Sequence, residues 1–195
     1  MGVKNKLFAF TLVAAFGLGG AVGAFALLVG NPGAERPPSV LSARQPVWAE
    51  VPWPFPIDQW GRGKAFQCKA ADCGAEVKVY LRAKLASCNC EIGVADDAEL
   101  DRMSDFELVG SEVVPLGEGQ PIQVGHMQGR SRAYMLAPRN APGKVALSIA
   151  FNDRCDMVVA TAVLPHERST TVEAAVMTFL NSRTVLGWAE VSLGL

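Results

Sequence analysis

The chain has 195 residues, half of them hydrophobic, and its 18 Lys and Arg residues nearly balance its 19 Asp and Glu residues. A chain of this length buries one ordinary hydrophobic core, and a near-neutral chain has little attraction for phosphate backbones. Length and charge therefore exclude a second large domain and argue against nucleic acid as a partner.

The N-terminus predicts a membrane anchor. A stub, residues 1–6, carries Lys4 and Lys6, and residues 7–30 are then uncharged and mostly apolar over 24 positions. At about 1.5 Å per residue, a helix of that length crosses the roughly 30 Å hydrocarbon core of a bilayer. The two lysines favour a cytoplasmic N-terminus, so we expect an inner-membrane protein of a bacterium whose main domain is periplasmic.

A cleaved signal peptide is the alternative interpretation of this segment. Val22-Gly23-Ala24 and Ala24-Phe25-Ala26 offer small residues where a signal peptidase cuts, and the second site would remove residues 1–26. The apolar run continues beyond both sites and exceeds the usual signal core of about 7–15 residues, which favours an uncleaved anchor. Within it, Gly19 and Gly23 form a small-residue ridge that lets another helix approach closely, although glycine is common in any such helix.

Residues 31–63 are rich in proline and tryptophan and predict a linker arm. Seven of the twelve prolines lie between Pro32 and Pro56, which excludes helix and favours extended or polyproline II backbone. The segment also holds a group of large aromatic residues: Trp48, Trp53, Phe55 and Trp60. Such rings are enriched at membrane interfaces and protein contacts, so the arm either docks onto a membrane partner or folds back to seal its own domain.

Residues 64–195 predict one α+β domain, an antiparallel β meander covered by a C-terminal helix. Residues 65–68 and the alternating Val77, Val79 and Leu81 indicate a first hairpin, with the polar residues of the second strand facing solvent. Further strands are expected at 122–126, 131–136, 145–151 and 157–164, the first two joined by a tight turn at Gln128-Gly129.

Two helical segments interrupt and complete this pattern. Residues 96–103 begin with acidic residues, as a helix start prefers, and predict one or two turns. Thr170 to Glu173 fits a capping box, and the apolar spacing that follows predicts a helix over one sheet face. We expect residues 111–121 to be irregular and residues 184–195 to form a final strand or a packed extension.

The five cysteines are candidates for disulfide bonds, because an exported domain lies in an oxidising compartment. They are Cys68, Cys73, Cys88, Cys90 and Cys155. We prefer Cys68 paired with Cys73, and either Cys88 or Cys90 paired with Cys155, since two cysteines separated by one residue of a strand pair with each other poorly.

The alternative function is an exported copper or thiol-handling carrier that uses Cys88 and Cys90, because soft thiolates hold Cu(I), with Met127 or Met157 as further ligands. A zinc site is less well supported, since the cysteine spacings are loose. Neither a Cys-x-x-Cys redox motif nor a covalent haem motif occurs. We therefore predict no cofactor.

The sequence offers no catalytic constellation. His126 is predicted on an apolar strand face and His166 in an exposed turn, and no nucleophile elbow, zinc-protease helix or P-loop occurs. Asp153, Asp156 and Glu167 are expected to gather with Arg154 at one end of the sheet, which an ion-paired turn explains as well as a site does.

The predicted function is therefore interaction rather than catalysis. We expect a single-pass accessory or assembly subunit of a larger integral membrane protein complex. It would contact the bilayer and its partner through the anchor helix, with Gly19 and Gly23, and through the aromatic residues of the linker arm.

Overall fold

The structure, a computed structural model, describes residues 45–110, 112–136, 143–164 and 169–195. They form a mixed α+β fold with one eight-stranded antiparallel sheet and two C-terminal helices. The predicted anchor with Gly19 and Gly23 lies outside the described residues, as do His166 and Glu167. No helix in the described ranges has the length and apolar character needed to cross a bilayer.

The strands confirm the predicted meander and extend it. In chain order they are β1 (Trp48–Val51), β2 (Lys64–Cys68), β3 (Val77–Lys84), β4 (Val113–Pro115), β5 (Gln120–Val124), β6 (Met127–Leu136), β7 (Lys144–Asp153) and β8 (Asp156–Leu164). Their order across the sheet is β1-β2-β3-β8-β7-β6-β4, and β5 also pairs with β6. The last strand, β8, therefore lies at the centre, between the first hairpin and the meander.

Four α-helices accompany the sheet within the described ranges. They are α1 (Ala70–Cys73), α2 (Asp97–Met103), α3 (Thr170–Leu180) and α4 (Arg183–Leu193), with a 3₁₀ turn at Phe106–Leu108 after α2. Helix α3 confirms the predicted covering helix, although Ser169 rather than Thr170 caps it, by accepting a hydrogen bond from the Val172 N–H.

Helix α4 corrects the prediction for the C-terminal tail, which is helical rather than extended. Val185, Ala189 and Leu193 follow one another at intervals of four, and all three are buried. The Ser182 side chain accepts a hydrogen bond from the Val185 N–H and starts the helix directly after α3. The apolar spacing is that of a helix face, which the clustering of Val, Leu and Trp in the tail obscured.

The turn predicted at Gln128-Gly129 is wrong, because the chain turns at Gly125-His126 instead. Gly125 has a φ of 60°, which glycine adopts without strain, and His126 is exposed in that turn rather than on an apolar strand face. Gly129 stays inside β6, where a Cβ atom would lie 2.0 Å from the Ala150 carbonyl oxygen. Close β6–β7 pairing, not a turn, therefore requires this glycine. Strand β4 and the start of β5 also fall in the range predicted to be irregular.

The second half of the predicted linker belongs to the folded domain. Strand β1 pairs with β2 along its length, from Trp48 opposite Cys68 to Val51 opposite Ala65. Residues 52–60, which we call the arm, then cross the sheet before β2 begins. Four residues of β1 pair with β2, so this part of the predicted linker is a strand of the folded domain despite the neighbouring prolines.

The sheet has two unlike faces. Helices α3 and α4 cover one face, which we call the helix face. There Val79, Ile149 and Ala160 of the sheet are buried in one core with Val176 and Leu180 of α3. The arm, α2 and the 3₁₀ turn lie over the opposite face, which we call the arm face. Its apolar cluster is smaller: Cys88, Val94, Leu100, Met103, Ala150, Met157 and Val159. Polar and charged side chains fill much of the remaining arm face.

Candidate functional site

The cysteines form two disulfide bonds, as predicted. Cys68 is bonded to Cys73 across the β2–β3 connection, with a Cα–Cα distance of 6.0 Å, and Cys90 is bonded to Cys155, with a Cα–Cα distance of 4.1 Å. Cys88 keeps a free, buried thiol. The sequence left open which of Cys88 and Cys90 pairs with Cys155, and the structure selects Cys90.

The environment of Cys88 is that of a buried thiol. Its Sγ donates to the Arg154 carbonyl oxygen at 3.3 Å, and burial, reinforced by Glu99, raises its pKa. Met157 packs in the same cluster, whereas Met127 lies in the helix-face core. Because Cys90 is already bonded, Cys88 and Cys90 do not form a thiol pair. The described residues contain no group of three or more His, Cys, Asp or Glu arranged to hold a metal ion.

The aromatic residues of the predicted linker contact their own domain. Trp48 stacks on Phe179 of α3 with a centroid distance of 4.4 Å, and Phe55 meets Tyr80 of β3 at 4.8 Å. Trp60 lies over the Lys84 ammonium group at 5.1 Å. These contacts correspond to the fold-back alternative. Docking of the same residues onto a membrane partner stays a prediction.

The most unusual chemistry lies beneath the arm, in a group of side chains that we call the Arg82 cluster. It comprises Trp53, Asp58, Arg82, Lys84, Asp105 and Thr161. Strand β3 positions the two cations, since Arg82 and Lys84 alternate with the helix-face residues and point to the arm face. Both are buried, with 1% and 4% of their surface exposed.

Two carboxylates pair with these cations. Asp58 Oδ2 accepts a hydrogen bond from Arg82 Nη1 at 2.6 Å, and its Oδ1 accepts one from the Trp60 N–H at 2.8 Å. Asp105 Oδ1 lies 2.8 Å from Lys84 Nζ, although this ion pair lacks hydrogen-bond alignment. The Lys84 ammonium donates instead to the Met103 carbonyl oxygen at 2.8 Å. The two buried cations are thus held by the arm on one side and by the end of α2 on the other.

The two carboxylates differ in acidity because they differ in burial. Burial raises the pKa of Asp105 above its ordinary value, and the attraction of Lys84 and Arg82 does not fully compensate. At Asp58, burial also acts to raise the pKa, but the hydrogen bond from the Trp60 N–H and the Arg82 guanidinium outweigh it. The pKa of Asp58 therefore lies below its ordinary value, and its carboxylate is the hydrogen-bonded counter-ion of Arg82.

Buried polar atoms without hydrogen-bond partners concentrate in this cluster. Within residues 45–110, 112–136, 143–164 and 169–195, five buried side-chain atoms have none: Trp53 Nε1, Arg82 Nε, Arg82 Nη2, Asp105 Oδ1 and Thr161 Oγ1. All five belong to residues of the Arg82 cluster, and one of them, Asp105 Oδ1, is ion-paired with Lys84 Nζ at 2.8 Å. Buried polar groups in proteins are normally hydrogen-bonded, so the four remaining donors require an explanation, and a bound ligand would supply one.

A second set of polar side chains on the arm face joins α2 to β6 through hydrogen bonds and ion pairs, and we call it the clamp. Arg130 of β6 pairs with Asp97 of α2, the Gly119 N–H donates to Asp97 at 3.0 Å, and the Tyr134 hydroxyl donates to Asp101. The Gly119 hydrogen bond, followed by the Arg130 pair, lowers the pKa of Asp97. These contacts fasten α2 to β6 and leave no donor for a ligand at Asp97.

The predicted acidic group near Arg154 is a turn. Asp153 and Asp156 flank the β7–β8 turn, the Asp153 carboxylate lies 4.0 Å from Arg154 Nε, and Asp156 accepts a hydrogen bond from the Ala86 N–H at 2.6 Å. The sequence did not identify the Arg82 cluster. Two basic residues at alternating strand positions were its only signal, and that pattern also describes a solvated face.

The Arg82 cluster has the chemistry of an anion site, because its buried donors are cationic on Arg82 and neutral on Trp53 and Thr161. The chain matches no protein-family model, and it has no significant match among curated proteins.

Proposed function

We propose that this protein is a single-pass, membrane-anchored periplasmic interaction protein, an accessory or assembly subunit of a larger membrane protein complex. Residues 7–30 would form the anchor, with Gly19 and Gly23 on its contact face. Residues 31–47 would connect it to the folded domain. Two disulfide bonds in the folded domain support export to an oxidising compartment.

The observation that carries the proposal is the place of β1 in the chain and in the sheet. It is the first described strand and the edge strand of the sheet, and its outer edge pairs with no other described strand. An extended chain reaches at most about 3.3–3.6 Å per residue, so residues 31–47 would keep this edge within roughly 60 Å of the membrane surface. A partner at this edge would therefore be a membrane protein or a protein held at the membrane.

The surface beside β1 suits an extended partner segment. Val47, Ala49 and Val51 line a shallow cleft together with Gln67, Lys69 and Asp72. Val47 is 61% exposed and offers apolar surface beside β1. An added strand would bond to the β1 backbone and bury its own apolar side chains in this cleft.

Site-specific photo-cross-linking in the native membrane tests this proposal. A photoreactive phenylalanine analogue replaces Ala49 in the full-length chain, and a matched probe replaces Val191, which is 83% exposed on α4. We expect Ala49 to give a discrete adduct with an integral membrane protein and Val191 to give none. The N-terminal sequence of the membrane-bound chain is determined in the same preparation, and we expect residues 1–26 to be present.

Two results would contradict the proposal. One is a chain that has lost residues 1–26 and fractionates with soluble proteins. The other is an identical set of weak adducts from Ala49 and Val191, which would indicate collision rather than docking at β1.

A further inference from the structure

We propose that the Arg82 cluster binds a small monocarboxylate, whose oxygens accept hydrogen bonds from the Nε–H and Nη2–H of Arg82, with Thr161 and Trp53 as further donors. This inference concerns the interior of the domain. It stands independently of the proposed anchor and partner.

Arg82 presents the correct edge for a carboxylate. Its Nη1 is already committed to Asp58 at 2.6 Å, which leaves the Nε and Nη2 donors without partners. These two N–H groups lie parallel on one edge of the guanidinium, and that edge binds both oxygens of a carboxylate side-on. Because Arg82 is 1% exposed, bulk solvent does not serve these donors.

Two further donors lie on the same face. In the β3–β8 ladder, Arg82 lies opposite Val159 and Tyr80 lies opposite Thr161. Thr161 therefore lies two residues along β8 from Val159, on the same face of the sheet as Arg82. The Trp53 ring lies over the Arg82 guanidinium at 5.4 Å, and its indole N–H is buried without a partner. Three side chains on the arm face thus carry four buried donors without partners, and the proposed anion would accept hydrogen bonds from them.

Charge and shape favour a monocarboxylate over a phosphate. The two cations of the cluster already face two carboxylates, so a dianion would leave two uncompensated negative charges in a buried site and a monoanion only one. The aromatic rings of Trp53, Phe55 and Tyr80 meet edge to face beside Arg82 and offer an apolar wall for a short hydrocarbon tail.

The arm covers the Arg82 cluster, so a ligand would reach the cluster through the arm. Trp53 is only half-buried, and the Asp58 side chain is 39% exposed. The absence of a side chain at Gly63 leaves space for the Trp53 indole, since a Cβ atom there would lie 2.7 Å from the ring.

Nuclear magnetic resonance of the full-length protein in detergent tests the proposal. Sodium acetate replaces sodium chloride at constant ionic strength, and the arginine Nε–H and tryptophan indole N–H signals are followed. The Arg82→Lys and Trp53→Phe variants identify the two signals that matter among the four tryptophans and the arginines. We expect acetate to shift both signals saturably, and we expect phosphate to leave them in place.

Thr161→Val is the decisive variant because valine has nearly the shape of threonine and lacks the hydroxyl. We expect it to weaken acetate binding about tenfold, the effect of one lost hydrogen bond. The matched control is Thr178→Val on the exposed surface of α3, where acetate affinity should stay unchanged.

Three results would overturn the proposal: no acetate-dependent shift of the Arg82 signal, an equal shift with phosphate, or wild-type affinity in Thr161→Val. If Arg82→Lys fails to fold, Thr161→Val still decides the question. Cross-linking at Ala49 reports on the proposed partner and would be unaffected by any of these results.

Discussion

The two faces of the sheet are built on different principles. On the helix face, the strands present aliphatic and aromatic side chains to α3 and α4, and hydrophobic burial alone fixes the arrangement. On the arm face, the same strands present Arg82, Lys84, Thr161 and Ser148, all nearly inaccessible to solvent. Burial of charge is costly unless the charge is paired, so the arm face depends on specific partners from the arm and from α2.

This difference shows where stability and function are separated. The helix face tolerates any well-packed apolar set, whereas the arm face keeps donors that no described protein group satisfies. Buried polar groups without partners cost stability, and proteins tolerate such a cost mainly at functional sites. The helix face thus supplies the larger apolar core, and the arm face is where ligand chemistry is expected.

The largest expected effect is on the helix face. Phe151 of β7 is fully buried in the larger core, so Phe151→Ala should lower the free energy of unfolding by about 3–5 kcal/mol through lost burial and a residual cavity. Urea denaturation followed by circular dichroism measures the change. Val191→Ala serves as the control, because Val191 is 83% exposed and should change stability little. A similar loss in both variants would contradict the assignment of the main core to the helix face.

The two disulfide bonds allow the next comparison, because Cys68–Cys73 is buried in the helix-face core whereas Cys90 of the other bond is exposed. Cys90–Cys155 closes a sequence separation of 65 residues and Cys68–Cys73 one of 5. In the chain-entropy model, replacing both partners by serine should cost about 4 kcal/mol for the long loop and about 2 kcal/mol for the short one. The same denaturation measurement, under oxidising conditions, gives both values.

Cys88→Ser completes this comparison. Cys88 has no disulfide, so its replacement should cost less than loss of Cys90–Cys155 and should leave both bonds intact by mass spectrometry. An exported carrier that depended on Cys88 and Cys90 would instead require Cys90 to be free. Reduced Cys90 in protein isolated from its native source without added reductant would therefore revive the carrier hypothesis.

Much of the helix face could be predicted from the sequence, because its information is local. The alternation in β7 and the apolar run of β8 indicated strands, and the spacing from Val172 to Leu180 indicated α3. Helix α4 was missed because the clustering of Val, Leu and Trp obscured its helical spacing. Strand β1 was missed because its pairing with β2 overrides the local composition.

The arm face could not be predicted, because its information is not local. The alternation in β3 gave Arg82 and Lys84 the pattern of a solvated edge, and their burial depends on Asp58, 24 residues before Arg82, and on the 3₁₀ turn region that supplies Asp105. No spacing rule links these segments. The free donors of Arg82 emerge only once every neighbouring contact is known.

The smallest expected effect, and the sharpest test of the arm face, is the pH dependence of stability in Asp105→Asn and Asp97→Asn. Asp105 faces Lys84 and Arg82 on β3 and Glu107 on its own turn, and burial raises its pKa. Its contribution to stability is therefore fully present below the unfolded pKa of about 4 and is lost as the pH rises through the higher folded pKa. The stability advantage of wild type over Asp105→Asn should fall as the pH rises.

Asp97 should behave in the opposite way, since its hydrogen bond from Gly119 and its pair with Arg130 lower its pKa. Its contribution is present above the unfolded pKa of about 4 and is lost as the pH falls through the lower folded pKa. The advantage of wild type over Asp97→Asn should therefore grow as the pH rises, when urea denaturation is compared between acidic and neutral pH. Parallel slopes for the two variants would mean that Asp105 is as well compensated as Asp97. The Arg82 cluster would then be a satisfied ion-pair network, like the clamp on β6, rather than a site with charge to spare for a ligand.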